Sequence, residues 1–198
     1  MTSNQHGWGA PSPWVLRWAH LLSPNADVLD VASGAGRHSL YLSAQGHRVT
    51  ALDKDAAALA TLQGRDEQDA SARESISVVC ADIENGDWPL PDRQFDAIVM
   101  THYLWRPIWP QLTRSLRPQG VLISETFARG QETIGRPSRP AFLLSPGESL
   151  DLAAGLRVVA YEDGFEPPSA AHPDGRFIQR IVAMHPDAGP PALGRMSI

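Results

Sequence analysis

The sequence predicts an α/β fold of the doubly wound type: a mostly parallel seven-stranded sheet with an antiparallel edge strand and flanking helices, in a single domain. Short β-branched runs alternate with helix-like segments, which is typical of parallel sheets. A turn of small residues directly follows the first such run. The last two apolar runs are joined by a polar loop without a helix, which predicts an antiparallel pair. The length of 198 residues suits one domain.

A short helix is predicted near the N-terminus. Residues 1–10 are polar and contain glycine, so we expect a mobile arm before it. Ser12 can cap the helix and Pro13 suits its first position, where a missing N–H costs nothing. The residues expected to be buried are the apolar ones that follow: Trp14, Leu16, Trp18, Leu21 and Leu22.

Two strand–helix units follow in the first half of the chain. Residues 28–31 (VLDV) and 47–52 (HRVTAL) are the expected strands. Residues 37–45 and 55–63 are the expected helices. The helix at residues 37–45 is expected to bury an apolar face formed by Leu40, Tyr41 and Ala44.

The second half of the chain supplies the other five strands. They are expected at residues 75–80, 95–100, 121–126, 156–162 and 177–185, with helices at 109–116 and 146–152. Residues 127–146 contain glycine, proline and arginine without periodicity, and a loop of this length is usually functional or disordered. The proline- and glycine-containing tail at 186–198 is expected to be disordered. We therefore place one domain at residues 1–185, including its mobile arm.

Composition limits the classes of function. The formal net charge of −5 and the pI of about 5.8 disfavour a nucleic-acid substrate. Cys80 is the one cysteine, which excludes an internal disulfide, predicts no metal site of clustered cysteines and suggests a small buried residue. No apolar run reaches the roughly 18 residues that span a membrane, and the N-terminus lacks a signal-peptide pattern. We expect a cytoplasmic protein with no membrane partner; its oligomeric state stays open.

The ends of three predicted strands carry a consistent set of residues. In a parallel sheet, ligands bind where the strands end. The first strand leads into Asp30 and a small-residue turn, whose backbone can approach a ligand and whose following helix offers N–H groups to an anion. Asp53 follows the second strand and can accept both hydroxyls of a ribose. Asp82 and Ile83 follow the third strand, where they can accept from an adenine amino group and flank its ring. Together they predict an adenosine ligand.

The register of the turn distinguishes two adenosine-containing cofactors. A nicotinamide dinucleotide site has glycines at G-x-G-x-x-G, and these positions would fall on Ala32, Gly34 and Arg37. The third glycine allows close packing of helix on strand, which an arginine does not. The alternate register gives Ala32, Gly34 and Gly36, and it resembles the first motif of class I methyltransferases, with alanine in the first glycine place.

The resemblance to methyltransferases extends over about half of the chain. The segment VLDVASGAGRHSLYLSAQGHRVTALDKD resembles the nucleotide-binding half of small bacterial methyltransferases of the tellurite-resistance type. FDAIVMTHYL is similar to their fourth strand and the loop beyond it, and LRPQGVLI to the turn into their fifth strand. The resemblance implies S-adenosylmethionine as the cofactor and no metal.

The resemblance also implies roles for matching positions. Asp30 would anchor the turn and approach the methionine amino group, while Gly34 and Gly36 would pack against the methionine and ribose. Arg37 would pair with the methionine carboxylate, which the Thr101 carbonyl would face. The residues that would hold the adenosine are Asp53, Lys54, Asp82 and Ile83. Ala32 departs from the usual glycine, and its methyl group is tolerable only if its φ is negative.

Each of these roles has a plainer alternative. Asp53 could cap the helix that follows it, Asp82 could be a solvated loop acid, and Arg37 a charge on a helix surface. His102 and Tyr103 follow the fourth strand, where an acceptor would approach, so either is a candidate base or a wall of the pocket.

Two further residues are candidates for binding the acceptor. Glu125 lies near the end of the fifth strand, and Arg136 lies in the long loop. Plain solvation is the alternative for Arg136.

Three functions remain open from the sequence. The first is methyl transfer from S-adenosylmethionine to a small-molecule acceptor, which requires positioning and needs a base only if the nucleophile arrives protonated. The second is a protein that binds S-adenosylmethionine without turnover. The third is an NAD(P)-dependent oxidoreductase.

Overall fold

The computed structural model describes residues 9–66, 75–170 and 172–186. Within these residues the chain forms seven strands, β1 to β7: Asp27–Val31, Arg48–Asp53, Ile76–Cys80, Phe95–Thr101, Leu116–Phe127, Arg157–Glu166 and Arg176–Met184. The α-helices of the same residues, α1 to α5, are Pro13–Trp18, Arg37–Ala44, Ala56–Asp66, Trp109–Arg114 and Glu148–Leu152. Short 3-10 helices lie at Ala19–Leu21, Arg106–Ile108, Gln131–Thr133 and Pro140–Phe142. The predicted tail, from residue 187 onward, and residues 1–8 of the predicted arm lie outside the described residues.

The strands form one mixed sheet in the order β3-β2-β1-β4-β5-β7-β6. Strands β1 to β5 pair in parallel, whereas β7 runs antiparallel to both β5 and the edge strand β6. The predicted fold class is confirmed. The chain moves outward from β1 to β3 and then returns to place β4 on the other side of β1, so a crevice for ligands opens between the ends of β1 and β4.

The first helix packs on one face of the sheet through its tryptophans. The side chain of Ser12 caps α1 as predicted, accepting from the backbone N–H of Trp14 at 3.1 Å. Trp14 and Trp18 are buried, but Leu16 is 44% exposed, so its predicted burial is wrong. Residues two positions apart point to nearly opposite sides of a helix, and the two tryptophans take the side that faces the sheet.

The buried face of α2 is polar, which corrects the predicted apolar face. His38, Ser39, Leu42 and Ser43 are buried, whereas Ala44 is exposed. Each buried polar side chain has a hydrogen-bond partner, as for the Ser39 hydroxyl, which donates to the carboxylate of Asp30 at 2.6 Å. Satisfied polar groups can replace apolar ones at a packed face, so hydrophobic spacing misplaced this face.

The segment 127–146 is ordered by its backbone and by one arginine. The N–H of Arg129 donates to Leu144 O at 2.9 Å, and the N–H of Leu144 donates to Phe127 O at 3.0 Å. The Arg106 guanidinium donates to Ala141 O at 2.8 Å and Leu143 O at 2.9 Å, and it pairs with Glu148. The long loop is therefore folded back on the end of β5.

Two smaller findings complete the fold. Cys80, expected to be buried, is exposed because it ends β3, which lies at the edge of the sheet. Over the described part of the chain, every helix is too short or too polar to cross a membrane.

Candidate functional site

The turn after β1 has a backbone that favours glycine at three positions. Ala32, Gly34 and Gly36 have φ angles of 53°, 54° and 78°. The condition of a negative φ at Ala32 is not met: the residue lies in the left-handed region, which costs an L-residue roughly 1–2 kcal/mol. A Cβ at Gly36 would lie 2.5 Å from Leu62 Cδ1, whereas one at Gly34 would meet nothing within 4 Å. Space beside Gly34 is therefore open to a ligand.

The carboxylate of Asp53 belongs to the turn and does not cap a helix. Its Oδ2 accepts from the N–H of Gly34 at 2.7 Å, and its Oδ1 accepts from the N–H of Asp55 at 2.9 Å. The cap of α3 is Asp55, whose Oδ1 accepts from the N–H groups of Ala57 and Ala58 at 2.9 and 3.1 Å. The alternative that Asp53 is only a helix cap is thereby excluded.

A cavity of about 140 Å³ opens beside Asp53 at the ends of β2 and β3. Its lining joins the turn to the residues predicted to hold an adenosine: Ala32, Leu52, Asp53, Lys54, Ala81, Asp82, Ile83, Glu84 and Tyr103. Asp82 accepts from Asn85 Nδ2 at 2.9 Å and from the N–H of Glu84 at 3.0 Å. These hydrogen bonds, that of Asn85 first, lower the pKa of Asp82, so it is ionised at the cavity edge.

Glu84 connects two walls of this cavity, and the sequence analysis missed it. Its Oε1 accepts from the Tyr103 hydroxyl at 3.1 Å and lies 3.8 Å from Lys54 Nζ. Tyr103, predicted as a candidate base, therefore lies in this cavity, and burial raises its pKa, which disfavours the phenolate that a base would need. The signal for Glu84 was its place in the same strand-end loop as Asp82.

Asp30 lies beneath the turn and not at its surface. It is 1% exposed, and burial raises its pKa to about 6. The hydroxyl of Ser39 donates to it, which ties β1 to α2. The hydrogen bond between Ser39 and Asp30 therefore supports the predicted role of Asp30 as an anchor of the turn.

Arg37 reaches across the turn to the end of β4. Its Nη2 donates to Thr101 Oγ1 at 3.2 Å and lies 3.4 Å from His102 Nδ1. Its Nη1 donates to Ala10 O at 3.3 Å. Arg37 is therefore not a free charge on the helix surface, because it joins the start of α2 to the end of β4.

His102 occupies a strained position at the end of β4. Its φ is 56°, and its N–H donates to Glu125 O at 2.8 Å, which holds the backbone turn. The ring stacks on Phe127 with centroids 5.2 Å apart, and its Nε2 lies 3.1 Å from Arg176 Nη1. The ring is partly exposed, so it forms a wall that an incoming molecule can touch.

Glu125 is buried behind this wall, which corrects its predicted place at the pocket surface. Its residue is 1% exposed, and its carboxylate pairs with Arg180 at 2.5 Å, Arg176 at 3.4 Å and His102 at 3.5 Å. Burial alone would raise its pKa, but the His102 hydrogen bond and the two arginines outweigh burial and lower it to about 2. Glu125 thus holds the wall in place from behind.

Two arginines differ in their relation to the site. Arg136, a predicted acceptor-binding residue, is exposed on the loop, and only its carbonyl has a described bond, from Gln131 Nε2 at 3.2 Å. Arg176 was missed although it is buried against Glu125, His102 and Glu166. It begins β7, and the start of an antiparallel strand lies at the same edge as the ends of parallel ones.

Known proteins share this fold and part of this sequence. Residues 28–120 match the family model described as a methyltransferase domain. TehB from Haemophilus influenzae superposes with a TM-score of 0.75 at 21% identity, covering 91% of this chain; the chain spans 64% of TehB. An S-adenosylmethionine-dependent methyltransferase from Methanosarcina mazei gives 0.69 at 15% identity, covering 90% of this chain and 99% of that one. No curated protein matches the sequence.

The fold is that of class I S-adenosylmethionine-dependent methyltransferases, and slightly under half of the chain matches a methyltransferase domain. Within that class the chain is similar to TehB and to the glycopeptide N-methyltransferase MtfA, which gives a TM-score of 0.62 at 19% identity over 87% of this chain and 89% of that one. MtfA has been solved with S-adenosylmethionine and with S-adenosylhomocysteine.

The residues present fit S-adenosylmethionine, the cofactor of the class. The buried hydroxyl of Ser33 in the turn has no partner, the space beside Gly34 is open, and the carboxylate of Asp53 borders the cavity. A polar, anion-lined recess beside an apolar one suits the hydroxyls of a ribose next to an adenine ring. The described residues are therefore compatible with the predicted cofactor, and the match at residues 28–120 agrees with the predicted class.

Proposed function

We propose that this protein is an S-adenosylmethionine-dependent methyltransferase and that its small-molecule acceptor approaches His102 at the end of β4. One observation carries this proposal: Arg37 Nη2 lies 3.2 Å from Thr101 Oγ1 and 3.4 Å from His102 Nδ1, so the helix after the turn is joined to the end of β4. Ala32 of the same turn lines the cavity. We assign the cavity to the adenosine end of the cofactor and the Arg37 cluster to its methionine end, with the acceptor beyond the cluster.

The proposed cofactor contacts divide along the turn. Asp53 accepts from the ribose hydroxyls, while Lys54, Asp82 and Ile83 border the adenine. Ala32, Gly34 and Gly36 supply close-approaching backbone. Arg37 binds the methionine carboxylate, with the Thr101 carbonyl facing the methionine end and Asp30 fixing the turn from below. When bound, S-adenosylmethionine supplies a methyl group already activated by its sulfonium, so the chain's work is chiefly positioning.

His102 is the proposed contact with the acceptor, as a wall or as a proton acceptor. Arg37 Nη2 lies 3.4 Å from Nδ1 and Arg176 Nη1 lies 3.1 Å from Nε2, so whichever ring nitrogen lacks a proton already faces an arginine donor. Proton transfer to His102 therefore requires that the acceptor displace one of these two contacts.

A pair of His102 variants separates the two roles. Loss of a general base lowers the maximal rate by roughly 10²- to 10⁴-fold. His102→Phe keeps an aromatic wall without a base, so a rate loss with an unchanged KM for the acceptor indicates proton transfer. A raised KM in His102→Ala that His102→Phe restores indicates a wall.

The proposal as a whole is tested by ligand titration and by turnover. We expect S-adenosylhomocysteine to bind and NADH not to bind in isothermal titration. Release of S-adenosylhomocysteine is then measured across a panel of carbon, nitrogen, oxygen, sulfur and metalloid acceptors. Tight NADH binding without S-adenosylhomocysteine binding would support the oxidoreductase alternative instead. Binding of S-adenosylhomocysteine with no turnover on any acceptor would support a binding protein. A cytoplasmic location and acceptor binding by Arg136 stay predictions.

A further inference from the structure

We propose that Ser12 and His38 are positioning residues, which latch residues 9–12 across Arg37 and so fix the guanidinium that receives the methionine end of the cofactor. Residues 9–12 are called the strap below. The inference rests on the proposed function, because it concerns how the cofactor is held. It assigns roles to two residues that neither contact the cavity nor carry charge.

Ser12 joins three separate elements. Its N–H donates to His38 Nε2 of α2 at 3.1 Å. Its hydroxyl donates to Glu125 Oε1 of β5 at 3.2 Å. Ser12 Oγ also accepts from the N–H of Trp14 at 3.1 Å. A helix cap needs only the last of these bonds. The other two attach the strap to the walls of the site.

His38 is suited to accept a hydrogen bond in this place. It is 2% exposed, like Ser12, and burial lowers its pKa to about 3. The ring therefore stays neutral at physiological pH and keeps a free lone pair on Nε2 for the N–H of Ser12. The charge of the neighbouring Arg37 lowers the pKa further.

The strap reaches Arg37 two residues before the latch. Ala10 O accepts from Arg37 Nη1 at 3.3 Å, while Thr101 Oγ1 accepts from Nη2 at 3.2 Å on the other side. The guanidinium is thus held from two directions before any ligand arrives. A side chain fixed in its bound conformation loses less entropy on binding, so the latch raises affinity for the methionine carboxylate alone.

Two ligands separate this role from a general effect on folding. S-Adenosylhomocysteine carries the amino-acid end, whereas 5′-methylthioadenosine keeps the adenosine and the sulfur without it. We expect Ser12→Ala and His38→Ala to weaken S-adenosylhomocysteine binding by roughly five- to tenfold, about the loss of one hydrogen bond. Binding of 5′-methylthioadenosine should stay within twofold. His38→Gln, which keeps an acceptor near the Nε2 position, should restore most of the affinity.

His47 provides the matched control. It is also a buried histidine that accepts a backbone N–H, from Ala26 at 3.2 Å, and burial also lowers its pKa. It lies just before β2, at the opposite end of the strand from Asp53. His47→Ala should lower the stability without changing the ratio of the two affinities.

The outcomes assign failure to one proposal or the other. Equal weakening of both ligands, or no weakening of either, overturns the latch and leaves the proposed function intact. Failure of the unmodified protein to bind either ligand overturns both. Should the alanine variants not fold, amide hydrogen exchange of the unmodified protein decides. The peptide containing Ser12 must gain protection with S-adenosylhomocysteine and not with 5′-methylthioadenosine, and an equal gain overturns the latch.

Discussion

Replacing Asp53 by alanine removes the group that connects the glycine turn to the cavity. In the present structure its carboxylate accepts from the N–H of Gly34 at 2.7 Å and from that of Asp55 at 2.9 Å. A carboxylate has about four lone-pair positions, so two are left for ribose hydroxyls. Asp53→Ala therefore removes the ribose contacts and also releases the turn.

The expected loss of cofactor affinity follows from these bonds. Hydrogen bonds to a charged group contribute roughly 1.5–3 kcal/mol, of which the ribose hydroxyls regain part from water in the variant. We expect a loss of about 1–3 kcal/mol, or roughly 5- to 150-fold in Kd. Asp53→Asn keeps one acceptor oxygen for Gly34 without the charge. Its Kd should therefore lie between those of the unmodified protein and Asp53→Ala.

Isothermal titration with S-adenosylhomocysteine measures the loss, and Asp55→Ala is its control. Asp55 is also an aspartate at the end of β2, but it caps α3 by accepting from Ala57 and Ala58. Its removal should cost about 0.5–2 kcal/mol of stability and little affinity. A folded Asp53→Ala protein with unchanged Kd, or an equal loss of affinity in Asp55→Ala, would refute the ribose assignment.

Three further substitutions test the buried charges and the cavity. Glu125→Gln should lower the free energy of unfolding at pH 7 by about 3–5 kcal/mol, measured in urea, because it leaves buried arginines underpaired. The native pKa of Glu125, about 2, lies below the ordinary 4.5. The stability difference between the two proteins should therefore shrink as pH falls below 4.5 and vanish near 2. Asp30 has the opposite sign: its native pKa of about 6 lies above 3.8, so its contribution is present at low pH and lost as pH rises through 6. Asp30→Asn should therefore flatten the unfolding free energy between pH 4 and 6, and an unchanged slope contradicts the burial of the charge. Tyr103→Phe should weaken S-adenosylhomocysteine binding by roughly two- to tenfold through the lost bond to Glu84, with kcat little changed, whereas a kcat loss of about 100-fold or more would restore Tyr103 as a base.

The arrangement of the residues proposed to bind the cofactor was predictable because it depends on local sequence. A parallel strand delivers the residue at its end to the ligand edge wherever the strand lies in the sheet, so Asp53 and Asp82 could be placed from chain order alone. The turn at Gly34 and Gly36 was likewise set by residues that tolerate positive φ. Ala32 has a positive φ although it is not glycine, because the turn imposes its backbone conformation on whichever residue stands there.

The acceptor half could not be predicted in the same way. Glu125 is a charged residue near a strand end, which suggests exposure, and its burial depends on Arg176 and Arg180, which lie far along the chain. Long-range pairing of charges leaves no periodic signal in a single sequence. The polar face of α2 was mispredicted for the same reason, since buried His38 accepts its hydrogen bond from Ser12, which lies outside α2.

Strand β7 runs against its neighbours, so the site draws on two separate stretches of the chain. The cavity is lined by residues that precede β5, whereas Arg176 enters the site as the first residue of β7. Under the proposed assignment, exchanging the β6–β7 hairpin together with Arg176 alters which molecule is methylated while methyl-donor recognition persists. The hairpin is thus a natural place for grafting when a different acceptor is wanted.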